Sequence, residues 1–460
     1  MESTSSNHNA LIDSFVLEVP DSQTRRLTIG WLLLSLGALI IGGLFTILIV
    51  LSRTPYFQEI IPWVDFFHTA LVVHVDLTVL VWFLGFAGLF WSLNTGTRCI
   101  KCGWLALIVT IVGTVIFTLA PFFGAGDPLM NNYVPVLQHP LFLFGLGIFG
   151  LGFTLQVLNG LFFSKPVGSK ISGTGALRFG LYTALMSALV SVVMLILSYV
   201  DMPAFAEKAY YYELLFWDAG HTIQFMHIQL MLVSWLWMAS IAGVGLKLSP
   251  RVALFIFFIG LVPVILTPFF YAMYDLGEAM HKQAISYLMQ YGGGLAALPI
   301  GLIITMGLFN KYRHSIKATP EFNALASSIV LFGVGGVIGF MIDGSNVTVP
   351  AHYHGSIVAI TLVYMGVTYH ILPRLGFRPI TGKAATWQPV VYACGQLMHV
   401  SGLVWSGGYG VQRKTATIEQ GADHLERVIG MGVMGLGGLI AIIGGIMFLV
   451  IAIKSMWPKK

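Results

Sequence analysis

Twelve runs of apolar residues, each long enough to cross about 30 Å of hydrocarbon, follow one another along the chain with short polar stretches between them. They fall near residues 28–51, 66–93, 104–124, 134–163, 177–200, 214–243, 252–276, 283–309, 323–343, 351–376, 386–411 and 425–454. Runs of this length predict helices, because a helix satisfies its own backbone hydrogen bonds where water is absent. Gly and Pro inside several runs are tolerated in packed membrane helices. The pattern predicts an all-α, polytopic membrane bundle of twelve transmembrane helices over residues 28–454, flanked by cytoplasmic tails at 1–27 and 455–460.

Composition narrows the class further. The chain is 57% hydrophobic and only 9% charged, against about a quarter charged in soluble domains. Its net charge of +5 is spread over many short loops, a topological signal rather than a nucleic-acid-binding face. With the N-terminus placed in the cytoplasm, 18 of the 24 Lys and Arg residues fall in cytoplasmic segments. Outside remain Arg53, Lys208, Lys282, Arg413, Lys414 and Arg427. The excess of basic residues inside therefore predicts that both termini are cytoplasmic. Arg25 and Arg26 precede the first run without a short apolar core and cleavage site, so no cleaved signal peptide is expected. Three cysteines make no disulfide framework, and Cys99-Ile-Lys-Cys102 has no second Cys or His pair nearby to complete a zinc set.

The candidate chemistry lies in the histidines. The tenth run begins Val349-Pro350-Ala351-His352-Tyr353-His354-Gly355. Residues two apart on a helix point about 200° from each other, so this pair cannot easily share one metal but can serve two different centres, one on each face. Topology puts His74 on helix two, His221 on helix six and the pair on helix ten at one depth, in the outer third of the bilayer. Ionisable groups there are costly and mark function. His74 and His354 can clamp a six-coordinate, low-spin haem, and His352 can hold a second haem with one face open. His221 then belongs to a metal facing the open side. Arg413 and Lys414 sit where haem carboxylates would emerge and can pair with them. His68 is expected to be plain polar surface, His139 to have a structural role and His370 to lie at the cytoplasmic interface, with interhelical hydrogen bonds for His227 and His399. Asp76, two residues past His74, is a proton relay or a hydrogen-bonding group within the bundle.

These residues resemble subunit I of the haem–copper oxidase superfamily over nearly the whole chain. Val349 to Gly376, continuing through Met365-Gly-Val-Thr-Tyr-His-Ile-Leu-Pro373, is similar to the oxidase helix carrying both proximal histidines. Leu215-Phe-Trp-Asp-Ala-Gly-His221 resembles the Trp-x-x-Gly-His motif that supplies the first copper ligand. Gly410-Val-Gln-Arg413-Lys414 resembles the propionate-binding Pro-Arg-Arg, with Gln412 in place of Pro. The resemblance implies His74 and His354 on the low-spin haem and His352 on the high-spin haem.

Two positions depart from that pattern. Phe225 stands where larger branches carry a tyrosine cross-linked to the copper histidine. Thr267-Pro-Phe-Phe-Tyr-Ala-Met-Tyr-Asp-Leu276 has no histidine where the family has an adjacent pair of copper ligands. Asp275, Glu278, His281 or Tyr271 would have to complete a non-standard copper or non-haem iron site, and oxygen ligands favour iron. Reducing two nitric oxides takes two electrons and no such tyrosine, so the departures favour nitric oxide. Dioxygen reduction stays open, with Tyr271 or Tyr274 as an alternative radical tyrosine, and so does a haem-only electron-transfer or gas-sensing subunit. No Cys-x-x-Cys-His motif occurs, so electrons come from another subunit or a soluble cytochrome c or cupredoxin. The expected setting is the lipid bilayer of a bacterial or archaeal cytoplasmic membrane.

Overall fold

The apolar runs fold as helices whose ends are set by local capping chemistry. The computed structural model describes residues 14–20, 23–52, 66–124, 126–204, 207–314, 318–344, 346–411 and 425–457. In chain order the helices are α1 (Gln23–Ser52), α2 (Phe66–Asn94), α3 (Ile100–Phe123), α4 (Pro140–Phe163), α5 (Gly173–Val200) and α6 (Lys208–Ile241). They continue as α7 (Pro250–Met273), α8 (Ala279–Arg313), α9 (Pro320–Phe340), α10 (Thr348–Arg374), α11 (Lys383–Gly408) and α12 (Leu425–Met456). Ser172, Ser249 and Thr319 cap α5, α7 and α9 by accepting the backbone N–H three residues on.

Ten of these helices are long and apolar enough to cross a membrane. The other two, α6 and α11, carry polar side chains that turn inward. Gln229 on α6 donates to the Phe257 carbonyl, and Gln388 on α11 donates to the Gly444 carbonyl. The start of α4 differs from the apolar pattern. Residues near 134 belong not to α4 but to a short antiparallel ribbon, Pro128–Leu129 against Val136–Leu137. The helix waits for Pro140 at its first turn, where a missing N–H removes no helical bond.

Sequence neighbours pack as pairs, α1 on α2 through α11 on α12. Small residues bring the backbones together. A Cβ on Gly113 of α3 would lie 2.2 Å from the Phe149 nitrogen of α4, and one on Gly335 of α9 would lie 2.5 Å from the Ser356 nitrogen of α10. Helix α10 is central, 89% buried over its most apolar stretch, whereas peripheral α12 is 28% buried. Phe86 of α2 stacks on Tyr364 of α10 with centroids 4.4 Å apart. The Trp235 indole of α6 donates to Ser328 of α9, whose hydroxyl donates to the Ala359 carbonyl of α10. These contacts hold α2, α6 and α10, the three helices carrying the candidate histidines, around one interior. Helix α2 also contains a π-helical turn, Asp76–Val81, directly after His74; such turns recur at functional sites.

Candidate functional site

Between these helices lies a cavity of about 2270 Å³, more than twice the upper size of about 1,000 Å³ for sites that take one small ligand. His74, His221, His352 and His354 all line it, brought together from α2, α6 and α10. His68, His227 and His399 line it as well. The remaining wall is mostly apolar, with Leu, Phe and Met side chains from α1, α2, α8, α9 and α12.

Three of the four expected ligands are oriented the same way. His74 Nδ1 lies 2.9 Å from the Gly42 carbonyl of α1, with the Thr46 hydroxyl at 3.0 Å. His352 Nδ1 lies 2.7 Å from the Gly335 carbonyl of α9. His221 Nδ1 lies 2.9 Å from the Trp217 carbonyl one turn earlier. A carbonyl can only accept, so each Nδ1 carries the hydrogen and each Nε2 keeps its lone pair. That tautomer is the one a metal-ligating imidazole needs. Gly339 shapes the seat of His352, because a Cβ there would sit 2.8 Å from both Cε1 and Nδ1 of the ring. His354 makes no hydrogen bond among the described residues; its ring meets that of His399 edge to face at 4.8 Å.

The loop between α3 and α4 closes the cavity over His221. Tyr133 places its hydroxyl 2.9 Å from His221 Nδ1 and its ring against Trp217. Asn132 binds the Glu213 carboxylate through both its backbone and its amide. Burial, then the negative charges of Glu213 and Asp218, push the Tyr133 phenol well above the ordinary tyrosine range. Tyr133 therefore stays neutral at physiological pH. Nothing in the loop sequence singles it out, since it is one tyrosine among 17.

Several expected residues lie elsewhere. His281 Nε2 is 2.6 Å from Asp218 Oδ2, both side chains fully buried, and its Nδ1 faces the Tyr274 carbonyl at 3.3 Å. Tyr271 bonds Ser198 at 2.6 Å and packs on the His281 ring. Neither Tyr271 nor His281 lines the cavity. Asp275 and Glu278 are exposed. Among the described residues no three His, Cys, Asp or Glu side chains converge as a metal site requires. Among the described residues His221 thus has no companion ligands, and these residues do not fit a distal copper or iron. Arg413 and Lys414 lie outside the described residues.

The remaining histidines sort by partner. His139 caps α4 by accepting from Leu141 N, and His399 bridges to the Met434 carbonyl of α12. His227, expected to bond a neighbouring helix, instead packs on Phe83 with its Nδ1 buried and unpartnered. His370, expected at the interface, is 3% exposed and sits against Trp237. Asp76 is 1% exposed with neither carboxylate oxygen partnered, which overturns a hydrogen bond within the bundle. Cys99 and Cys102 are disulfide-bonded to each other at the start of α3.

For the haems the fit is good. The volume exceeds one ligand's need, the wall is apolar, and imidazoles with free Nε2 atoms face it from separate helices.

Comparison with known proteins identifies the family and the fold. An uncharacterised protein of Rickettsia prowazekii (strain Madrid E) is 29% identical over 505 aligned residues, covering 95% of this chain and 98% of that one. An uncharacterised protein of Aquifex aeolicus (strain VF5) is 28% identical, covering 78% of this chain and 88% of that one. A cryo-EM structure of a heme-copper terminal oxidase dimer superposes with a TM-score of 0.71 at 16% identity, over 96% of this chain and 85% of that one, a likeness of fold. The family model for cytochrome c and quinol oxidase polypeptide I matches residues 26–447, and the chain belongs to that family, the haem–copper oxidase subunit I group of membrane oxidoreductases.

Proposed function

We propose that this chain is the catalytic subunit of a respiratory reductase that passes electrons from a low-spin to a high-spin haem and on to a diatomic gas, with nitric oxide favoured over dioxygen. The observation that carries the reading is the set of imidazoles from α2, α6 and α10 facing one apolar cavity, three of them with Nδ1 committed and Nε2 free. In this reading all twelve helices span the bilayer of a bacterial or archaeal cytoplasmic membrane, with both termini cytoplasmic.

His74 and His354 would hold the low-spin haem and His352 the high-spin one. Arg413 and Lys414 would meet the propionates. When bound, such groups supply one-electron iron chemistry. The chain's own contribution is orientation and exclusion of water. Carbonyls of Gly42 and Gly335 fix the ligating rings, and the apolar wall raises the strength of every electrostatic contact inside. Tyr133 and His221 present polar groups to the open side of the high-spin position. Electrons arrive from another subunit or a soluble cytochrome c or cupredoxin.

Two features favour nitric oxide. Phe225 supplies no hydroxyl one turn beyond His221, and Tyr271 is engaged with Ser198 and His281 away from the cavity. Neither the position one turn beyond His221 nor Tyr271 or Tyr274 at the end of α7 thus brings a tyrosine to the cavity for four-electron cleavage of dioxygen, which leaves that role to Tyr133 beside His221, whereas a two-electron reduction needs none. The isolation of His221 also favours a second reading, a haem-only electron-transfer or gas-sensing subunit.

Metal analysis of the purified protein should give two haem irons, and amperometry with a reduced donor should show nitric oxide consumption. Dioxygen uptake without nitric oxide consumption rejects the substrate. Two haems with no turnover of either gas selects the sensing reading.

A further inference from the structure

We propose that His399 of α11 is a positioning residue of the low-spin haem site, the acceptor that orients the axial histidine His354. This rests on the haem reading above. The other expected ligands, His74, His221 and His352, each give their Nδ1 hydrogen to a backbone carbonyl. Such a bond fixes the ring plane and leaves the opposite nitrogen for iron. His354 lines the same cavity and has no such bond among the described residues. With one nitrogen of His354 given to a haem iron, its other N–H would be left in the bundle interior, where a donor without an acceptor is costly.

One ring against His354 can meet that need. His399 approaches it edge to face, with centroids 4.8 Å apart. Its Nδ1 lies 2.9 Å from the Met434 carbonyl and so carries the hydrogen. Its Nε2 therefore keeps an accepting lone pair. The seat is rigid, because a Cβ on Gly437 of α12 would lie 2.3 Å from the His399 backbone nitrogen. Rotation of His354 about its Cβ–Cγ bond turns the edge-to-face contact into an N–H···N bond. The other ring at His354 belongs to Tyr353, which is 41% exposed and adjacent in sequence, so it leaves the helix in a different direction. His399 thus does for His354, by a side chain, what the main chain does for the other three.

An acceptor behind an axial imidazole raises its basicity and stabilises ferric iron. Redox titration and low-temperature EPR of purified wild-type, His399→Phe and His399→Gln proteins test this. His399→Phe keeps a ring but removes the acceptor, and His399→Ala replaces it if the larger ring disturbs packing. The variant without an acceptor should retain the low-spin haem with its midpoint raised, favouring the ferrous form about tenfold, or ~59 mV for one electron. His399→Gln, whose amide oxygen accepts, should restore most of the wild-type potential. Unchanged potential and g-values in the acceptor-free variant overturn the proposal. So does loss of the low-spin haem in every His399 variant with its retention in His354→Ala, which would make His399 the ligand. Absence of low-spin haem from the wild-type protein overturns the haem reading itself.

Discussion

Replacing Gly220 by Ala should loosen the loop that covers His221, by an amount that depends on Tyr133. The Tyr133 ring lies directly on α6 at this position, and an added Cβ would fall 2.1–2.5 Å from its Cγ, Cδ1 and Cδ2 atoms. The ring has little room to retreat. Its hydroxyl is bound to His221, its edge meets Trp217 at 6.1 Å, and Asn132 beside it is tied to Glu213. Forcing a methyl group into such a contact costs about 1–3 kcal/mol, and losing the hydrogen bond to His221 adds about 1 kcal/mol. Against this, Ala is favoured over Gly inside a helix by about 1 kcal/mol. The net expectation is a loss of about 1–3 kcal/mol for Gly220→Ala. Tyr133→Ala removes the ring, and in that background the same substitution should be neutral or stabilising by up to about 1 kcal/mol. Equilibrium unfolding in SDS mixed micelles measures all four corners of the cycle, and a coupling of about 2–3 kcal/mol is expected for groups in direct contact. Additive costs within about 0.5 kcal/mol would refute the seating of Tyr133 on α6.

Other outcomes follow from the same geometry. His354→Ala should abolish the low-spin haem spectrum, and an unchanged spectrum refutes its pairing with His74. Gly339→Ala puts a methyl group 2.8 Å from two ring atoms of His352, so carbon monoxide binding by the reduced protein should fall; full binding would mean the ring is not seated there. Asp218→Ala strands the buried His281 imidazole without an acceptor and should destabilise the fold by about 1–3 kcal/mol. The same micelle titration reads it, and a change below about 1 kcal/mol would show that the pair carries little.

The helices were legible because each spans one long apolar run, and the convergence of His74, His221, His352 and His354 on one cavity was legible because the topology put them at one depth. What escaped was partnership. Helical phase says which side of α6 carries Asp218, but not that it binds His281 across to α8 and draws that histidine out of reach of His221. His399 read as an interhelical hydrogen-bonding residue, and it is one; its place beside His354 depends on how α10 and α11 pack. Tyr133 sits in a loop, where no periodicity exists to mark it. The π-helical turn was equally hidden, since the residues of Asp76–Val81 look like any apolar helix with one acid.

The carbonyls that orient His74 and His352 both belong to glycines, Gly42 and Gly335. A helical carbonyl already accepts from the residue four places on, and it has a second lone pair to offer. With no side chain on that residue, a neighbouring imidazole reaches it. A partner of this kind cannot be removed by exchanging one functional group for another. It is lost only when two helices move apart. The aim of both rings therefore rides on interhelical distance, and other side chains can change without moving them so long as Gly42 and Gly335 stay glycine.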